Sequence, residues 1–372
     1  AAWQEALARD PDEDRLANRL AHLAPTDEGP WTADIPGPQT VRAALDRPYA
    51  PRPGAHVLRR LDHEVTLLKP DGSTTDVVTL IATALDDAGR DELTRIRLRR
   101  GGRLRIRAAY VVGPDGARTQ VSSVRGRVAR FRNLSVGSTV VLQYRHDAKP
   151  VGYLARHIGR GWWFQSRSAQ VLRSEWVLWL PEDEVLNEWV GDPEGVVERR
   201  ERRQGVMRRV SWAAEDVAPL VAEPNMPTLR EVAVNMLVST VPDWATFLQW
   251  EKALLSDAFR SSAQIAALAR RITEGAGSPR ERLERIHAWL MAEIRYQQDY
   301  ENHIAGVRPH AAPVVIERGY GDCKDKSVLF ITLARELGIE VHFALLRTRP
   351  KGPLLRGVPM QQFDHAVVYV PA

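Results

Sequence analysis

The sequence predicts a mixed α+β chain of several domains, and three observations support this. Its 372 residues exceed the length of one ordinary domain. Apolar residues recur at helical spacing near both ends, whereas the middle is rich in alternating apolar and polar residues and in turn signals. We therefore expect a helical fragment at 1–24, a linker at 25–54, an antiparallel β-sandwich domain at 55–240 and a second α+β domain at 241–372.

The charge pattern argues against a nucleic-acid-binding surface. The formal net charge is +5, yet the 52 basic residues are interspersed with 47 acidic ones, and no nucleic-acid-binding motif is present. No apolar run is long enough to span a membrane, and no charged-then-apolar signal segment opens the chain. We therefore predict neither a nucleic-acid partner nor a transmembrane segment in this chain.

The first 54 residues predict a helical piece followed by the linker. Up to Leu23, apolar residues recur at helical spacing on either side of a break at Asp10-Pro11. The run AAWQEALARDP resembles the closing helix of a tetratricopeptide repeat, and a lone amphipathic helical hairpin explains it equally well. Residues 25–54 are rich in proline and glycine, with one short potential helix at 41–45.

The segment that follows the linker, up to about Ser239, has the pattern of antiparallel β-structure. Residues 103–108 alternate strictly between polar and apolar, and turn signals occur at 70–72 and 114–116. The charged run 198–203 precedes a glycine and another strand-like run. This order predicts a hairpin with one charged face.

Four tryptophans in this segment form an aromatic cluster in the sequence: Trp162, Trp163, Trp176 and Trp179. Aromatic faces can bind a sugar or a peptide, but large apolar side chains usually lie inside a protein. We therefore favour core packing, with Trp162 and Trp163 as the more exposed members.

Three amphipathic helices are predicted after Pro242, the third beginning at Pro279. His287 lies beside the apolar stripe of that third helix, where we expect a hydrogen-bonded structural histidine rather than a catalytic one. His303 and His310 fall in the following loop and could lie near a cleft, but no spacing ties them to a mechanism.

The only cysteine, Cys323, lies in the run GYGDCKDKS, which predicts the start of a helix. Asp322 is a suitable N-cap, Asp325 completes a capping-box-like pair, and the apolar run behind them stops at Gly338. Unpaired N–H groups and the positive end of the helix dipole favour a thiolate, which is the nucleophilic form of cysteine. We therefore predict a buried helix with Cys323 at its exposed N-terminus.

A base for this nucleophile is predicted on the last strand. The run FDHAVVYV is β-branched and aromatic and carries His365. A second strand-like run at 340–347 precedes it, and the two are joined by a loop rich in proline and glycine. Asp364 neighbours the histidine on the same strand and therefore points to the opposite face, so we do not expect it to orient His365.

The runs GYGDCKDKS, ARELGIE and FDHAVVYV resemble the bacterial transglutaminase-like superfamily, whose core is a papain-like Cys, His, Asp arrangement. The resemblance covers roughly 241–372, and the preceding β-rich segment loosely resembles an uncharacterised domain found before such domains in bacterial proteins. It implies Cys323 as nucleophile and His365 as base. The aspartate of the family, on the next strand, has no counterpart before Ala372, which predicts either a truncated chain or an incomplete triad.

These residues predict cysteine-dependent acyl transfer on a protein or peptide amide, without a cofactor. The Cys323 thiolate would attack the carbonyl carbon, and His365 would return the proton to the leaving amine. Water as the acceptor gives a protease or deamidase, and a lysine amine gives a cross-link. We favour hydrolysis because water is always available and no amine site is identified.

Supporting groups are predicted on both sides of the cysteine. The backbone N–H at the helix start, held by the Asp322 cap, is one candidate oxyanion donor, and Gln297 or Gln298 is a candidate second donor. Lys324 and Lys326 flank the cysteine, where they either favour the thiolate or form a solvated first helical turn.

A protein-binding scaffold is the main alternative to an enzyme. In that interpretation the transglutaminase-like domain is catalytically degenerate and Cys323 is a small buried apolar residue. A metal site is not expected, since one cysteine and scattered histidines lack a ligand pair at chelating spacing. The chain begins with Ala1 rather than methionine, which suggests an excised piece with further domains on both sides; a removed signal peptide would favour the periplasm or cell surface.

Overall fold

The computed structural model describes residues 29–120, 123–150, 154, 156–298 and 308–371. Within these ranges the chain is a mixed α+β structure, as predicted, while the helical fragment predicted at 1–24 lies outside them. The helices are α1 Pro38–Asp46, α2 Asp87–Leu93, α3 Leu229–Val232, α4 Trp244–Leu255, α5 Ala263–Ile272, α6 Pro279–Glu293, α7 Ala312–Arg318 and α8 Cys323–Glu336. Short 3₁₀ segments occur at Pro30–Asp34 and Arg349–Lys351.

The strands fall mostly in the first two thirds of the chain. They are β1 Val57–Leu68, β2 Thr74–Ala84, β3 Arg95–Arg97, β4 Arg103–Val112, β5 Arg118–Gln120, β6 Ser123–Arg125, β7 Val128–Arg130, β8 Thr139–Ala148, β9 Gly159–Trp163, β10 Ala169–Pro181, β11 Asn187–Gly191, β12 Glu198–Gln204, β13 Met207–Val217, β14 Asn235–Ser239, β15 Arg295–Tyr296, β16 Tyr320–Gly321, β17 His342–Leu346 and β18 His365–Tyr369.

The chain divides into two compact units. The β-rich unit comprises Ala1–Met226 and Val232–Thr240, and the helical unit comprises Pro227–Glu231 and Val241–Ala372. Strands β1 to β14 belong to the first, and helices α4 to α8 with strands β15 to β18 belong to the second.

The β-rich unit is built on an eight-stranded sheet with the order β12-β13-β10-β1-β2-β8-β4-β5. The turns predicted at 70–72 and 114–116 join the hairpins β1–β2 and β4–β5, and the charged run forms the exposed strand of the β12–β13 hairpin. The pairing is antiparallel except between β1 and β10, which are parallel. A long connection separates these two strands along the chain, so their pairing needs no tight turn.

Two three-stranded sheets pack against the large sheet as a sandwich. The sheet β11-β14-β9 contributes Met236 and Val238 to a core shared with β10 and β13, and the sheet β3-β7-β6 contributes Ala129 to a core shared with β2, β4 and β8. Alternating apolar faces make this possible, because each strand presents every second side chain to the same layer.

The tryptophans confirm the core interpretation. Trp176 and Trp179 are fully buried on β10. Trp162 is half-buried, stacks on Trp176 with a ring-centroid distance of 6.3 Å, and donates its Nε1–H to Ser174 at 2.9 Å. Because its face and its polar edge are both used in packing, Trp162 is not a free ligand platform.

Residues 30–46 differ from the linker predicted over 25–54. Trp31, in the first 3₁₀ segment, is only 4% exposed and packs with Val65, Val77 and Trp179. Helix α1 lies at the predicted 41–45 position and places its apolar side chains against β1, β2 and β8. Apolar side chains dispersed among the prolines and glycines therefore anchor this segment on the sheet.

A buried charged network crosses the β-rich unit. Asp76 is fully buried on β2 and accepts hydrogen bonds from Thr66 at 2.9 Å and from Arg160 at 2.7 Å. Glu64 pairs with Arg160 at 3.1 Å and with Arg99. Each buried carboxylate thus has a cationic partner, which is the condition for keeping a charge in a protein interior.

The helical unit forms around α8. Helices α4, α5 and α6 occur where the periodicity predicts them, and the middle of α8 is buried against α5, α6 and α7, with Val328, Leu329 and Ile331 inaccessible to solvent. Strands β17 and β18 pair as an antiparallel hairpin, whose Val368 packs against the same core.

Candidate active site

Cys323 is the first residue of α8, as predicted. The Asp322 carboxylate accepts hydrogen bonds from the backbone N–H groups of Lys324 and Asp325, and the Asp325 carboxylate accepts one from the Asp322 N–H, which completes a capping box. A Cβ at Gly321 would lie 2.6 Å from the Asp325 Cβ, so this position requires glycine. The cap leaves the cysteine side chain half-buried.

A short parallel ladder brings Tyr296 to this helix start. Arg295 pairs with Tyr320, and Tyr296 pairs with Gly321, two residues before the cysteine. The Tyr296 hydroxyl lies close enough to interact with both the side chain and the backbone N–H of Cys323. Partial burial of the phenol, followed by the repulsion that a thiolate at Cys323 would exert on a phenolate, raises the pKa of Tyr296, so the hydroxyl keeps its proton.

His365 is the first residue of β18 and is half-buried. The segment before it is fixed by Phe363, whose ring lies 5.8 Å from Trp244 and 6.0 Å from Phe247 of α4. Asp364 accepts a hydrogen bond from the Thr348 N–H at 2.7 Å and another from the Thr348 hydroxyl. Its carboxylate therefore stabilises the β17–β18 loop. This agrees with the prediction that Asp364 does not orient the histidine.

One cavity of about 560 Å³ unites these groups. Cys323, Tyr296, Lys326 and His365 line it together with His287. The rest of its wall is mostly apolar and comes from α6, α8 and β18: Leu283, Leu290, Met291, Phe330, Ala366, Val367, Val368 and Val370. The cavity wall thus combines a thiol, a phenol, two imidazoles and an ammonium group with a mostly apolar surface.

Residues 266–370 match the family model described as the transglutaminase-like superfamily. They form a transglutaminase-like domain. The match contains Cys323, His365 and Tyr296, and it lies wholly within the helical unit.

A solved structure shares the fold over most of the chain, beyond the residues that the family model matches. A crystal structure described as "a putative protease" from Parabacteroides distasonis superposes with a TM-score of 0.67 at 16% identity, covering 84% of this chain and 65% of that one. At this identity the likeness shows the fold alone, and this chain spans about 65% of the length of that protein.

Two further structures are similar only locally. A "putative cysteine protease" from Cytophaga hutchinsonii matches at 14% identity over 57% of this chain and 70% of its own, with a TM-score of 0.25. An M1 zinc metallopeptidase from Deinococcus radiodurans matches at 11% identity over 50% of this chain and 42% of its own, also with a TM-score of 0.25. At that TM-score, neither similarity supports a conclusion about this chain. No curated protein sequence matches this chain.

The two lysines beside the cysteine of the transglutaminase-like domain have different environments. Lys324 is buried and its Nζ pairs with the Asp322 carboxylate, so its charge is compensated within the cap. Lys326 lines the cavity and donates from Nζ to the Ile294 carbonyl at 2.8 Å. Partial burial lowers the pKa of Lys326. Of the two predicted supports, only Lys326 faces the same cavity as the thiol.

Tyr296, rather than Gln297 or Gln298, places a hydrogen-bond donor near Cys323. Gln297 and Gln298 are exposed, and the Gln297 side-chain oxygen accepts a hydrogen bond from Arg295 at 2.9 Å. The Tyr296 hydroxyl occupies the position that the glutamines were expected to fill. Alternation explains the difference for Gln297, because Tyr296 faces the cysteine and the next residue along an extended chain points to the opposite face. Ile294 and Tyr296, β-favouring residues directly after α6, are the sequence signal that points to this short strand.

The structure assigns different environments to His287 and His310. His287 is exposed and lines the cavity, and no other group in the described ranges hydrogen-bonds it, so it is not the satisfied structural histidine that was predicted. His310 donates its backbone N–H to Asp325 at 2.7 Å and its Nδ1 lies 3.3 Å from the same carboxylate. His310 therefore fastens the residues directly before α7 to the α8 cap. His303 lies outside the described residues.

The described residues offer neither a metal-binding cluster nor a membrane-spanning helix. Across 29–120, 123–150, 154, 156–298 and 308–371, no group of three or more His, Cys, Asp or Glu side chains could hold a metal ion. In the same part of the chain, no helix combines the length and apolar character needed to cross a membrane.

Proposed function

We propose that this protein catalyses cysteine-dependent acyl transfer on protein or peptide amides, with hydrolysis as the preferred outcome. The observation that carries the proposal is the meeting of Cys323, His365 and Tyr296 in one cavity at the start of a capped helix. The family match and the protease-like description of the Parabacteroides distasonis structure agree with it.

The first step is attack of the Cys323 thiolate on the amide carbonyl carbon. The C–O π electrons move to oxygen, and the resulting oxyanion accepts hydrogen bonds from the Cys323 backbone N–H and the Tyr296 hydroxyl. Protonated His365 then gives its proton to the amide nitrogen as the C–N bond breaks. The leaving amine departs and a thioester remains on the enzyme.

The second step restores the enzyme. Neutral His365 takes a proton from water as the water oxygen attacks the thioester carbonyl, and collapse of the oxyanion breaks the C–S bond. The products are a carboxylic acid and the free thiolate, with the proton on His365. A lysine amine in place of water would give a cross-link by the same steps. The mostly apolar wall of the cavity favours substrates with an apolar side chain next to the reacting carbonyl.

A catalytically degenerate, protein-binding scaffold is the second candidate. The observation that favours it concerns His365: within the described ranges, nothing hydrogen-bonds its ring, whereas a catalytic imidazole is usually oriented by a third group. In this interpretation the apolar cavity binds a partner and the thiol performs no chemistry. Location in the periplasm or at the cell surface stays a prediction in either case.

Alkylation by iodoacetamide, followed by intact mass, tests the proposal. We expect rapid modification of Cys323 that persists at mildly acidic pH and slows at least tenfold in His365→Ala. The matched control is His342→Ala, which removes an exposed histidine of β17 that pairs with Glu340. A thiol as slow as glutathione in all three proteins, together with partner binding that survives Cys323→Ala, would establish the scaffold instead.

A further inference from the structure

A second cavity of the helical unit, of about 460 Å³, lies between α4 and β17. Its walls are largely apolar: Leu248 and Leu255 of α4, Phe259, Phe343 of β17, and Phe363. It shares no lining residue with the cavity at Cys323. The mechanism proposed above makes no use of it.

Glu251 is the polar group inside this second cavity. It lies on the inner face of α4 and is only 5% exposed. Its Oε2 is fully buried and has no hydrogen-bond partner, and no group in the described ranges bonds the other oxygen. A buried carboxyl without a partner is costly, because it has lost its water without replacing it.

The charged groups near the cavity do not satisfy this carboxyl. Lys252 and Arg335 line the cavity but are exposed, and the Arg335 guanidinium lies over the Phe259 ring at 4.5 Å. His342, which also lines the cavity, has its Nε2 3.3 Å from the Glu340 carboxylate and does not pair with Glu251. Burial alone raises the pKa of Glu251 to about 7, with no offset from either cation.

We infer that this cavity is a binding site for a primary ammonium group carried on an apolar arm, with Glu251 as the group that receives the ammonium. The apolar walls enclose the arm, and the ammonium supplies three N–H donors to the two oxygens that lack partners. A charge-assisted hydrogen bond of this kind is among the stronger polar contacts in proteins. A free alkylamine and a lysine side chain offer the same chemistry.

Isothermal titration calorimetry of the full chain tests this inference, with hexylammonium chloride as the probe and hexan-1-ol as the uncharged probe with the same arm. We expect saturable binding of hexylammonium at pH 8, at least tenfold tighter than that of hexan-1-ol. Glu251→Gln should remove this preference, whereas Glu293→Gln, at the exposed end of α6, should retain it. Nα-acetyl-lysine methylamide, compared with hexylammonium, distinguishes a peptide lysine from a small amine.

The pH dependence of the wild-type protein gives a second readout that needs no variant. The carboxyl must be ionised to hold the ammonium, so hexylammonium affinity should fall by up to about tenfold per pH unit below pH 7. Cys323→Ala should bind as the wild type does, which separates this inference from the proposed function. Absence of saturable binding, equal affinity for both probes, or a preference that persists in Glu251→Gln would overturn it.

Discussion

Tyr296 and Lys326 share a cavity with Cys323, whereas Lys324 faces the helix cap. At the residue scale, this separation assigns a different property to each side chain. Tyr296 offers a proton donor close to the backbone N–H that would hold an oxyanion, and Lys326 offers an ammonium group in the same cavity as the thiol. Lys324 stabilises the fold of the cap.

Tyr296→Phe should slow acylation of Cys323 without slowing simple alkylation. Acylation by p-nitrophenyl acetate passes through an oxyanion, and the loss of one donor typically costs about 10²-fold or more, whereas displacement of iodide from iodoacetamide forms no oxyanion. The nitrophenolate burst and intact mass measure the two rates. Tyr369→Phe, at an exposed position on β18, should change neither rate. Equal effects on both reagents would contradict the donor role.

Lys326→Met should change the charge preference of the thiol for small reagents. An ammonium in the cavity attracts iodoacetate relative to neutral iodoacetamide, so the ratio of the two alkylation rates should fall several-fold at low ionic strength in the variant. Lys351→Met, an exposed control, should leave the ratio unchanged. An unaltered ratio in Lys326→Met would mean that its charge does not reach the thiol.

Lys324→Met should act on stability instead. It removes the partner of the buried Asp322 carboxylate, and breaking a buried ion pair costs about 3 kcal/mol. Urea unfolding should show this loss in the free energy of unfolding, with the Lys351→Met control near zero. If Lys324→Met instead shifted the reagent preference and left unfolding unchanged, the assignment of the two lysines would be reversed.

At the element scale, the Asp325 carboxylate joins the α8 N-terminus, which Asp322 caps, to a second chain segment. Asp325 accepts the Asp322 N–H within its own helix and the His310 N–H from the loop before α7. The ladder β15–β16 brings Tyr296 to the same point. The start of the cysteine helix is therefore a junction of three chain segments, each fixed by backbone groups.

Asp325→Ala should loosen this junction. The variant leaves one buried and one partly buried backbone N–H group without an acceptor, and a buried unsatisfied group costs about 1–3 kcal/mol. We expect a lower free energy of unfolding and slower acylation of Cys323, because the oxyanion donors lose their alignment. The comparison is Glu336→Ala, which changes an exposed acid in the last turn of α8 and should be nearly neutral. Unchanged acylation in Asp325→Ala would refute the positioning role.

At the scale of the whole molecule, the buried network of the β-rich unit predicts sensitivity to acid. Burial opposes ionisation of Asp76, but the Arg160 cation, the His146 hydrogen bond and the Arg99 cation outweigh it, so the pKa of Asp76 lies well below its usual range. A depressed carboxyl pKa stabilises the folded state above the unfolded-state value of about 4, and this contribution disappears as the pH falls below it.

Asp76→Asn should therefore make the free energy of unfolding less dependent on pH in the acidic range. Urea unfolding between pH 3 and pH 7, followed by tryptophan fluorescence, should show a wild-type free energy of unfolding that declines below about pH 4 and a smaller decline in the variant. The variant should also be less stable at pH 7, because Arg160 loses a buried partner. Asp183→Asn, at an exposed turn, is the control. If the free energy of unfolding declined equally with pH in the wild type and in Asp76→Asn, Asp76 would be excluded as a source of the acid sensitivity.

The sequence alone determined the features that depend on neighbours along the chain. The Asp322 cap, the helix that it begins, the hairpins at 70–72 and 114–116, and the strand that carries His365 all follow from local capping, turn chemistry and periodicity. These signals occupy a few consecutive residues, so no knowledge of the fold was needed to interpret them.

Which distant residues meet depends on long-range packing. It selected Tyr296 over the adjacent glutamines, separated Lys326 from Lys324, turned residues 30–46 from a linker into a packed segment, and left Glu251 buried without a partner. The physical reason is that a two-residue ladder, the choice of one helix face and the burial of a single side chain depend on long-range packing. Neither composition nor periodicity carries that information.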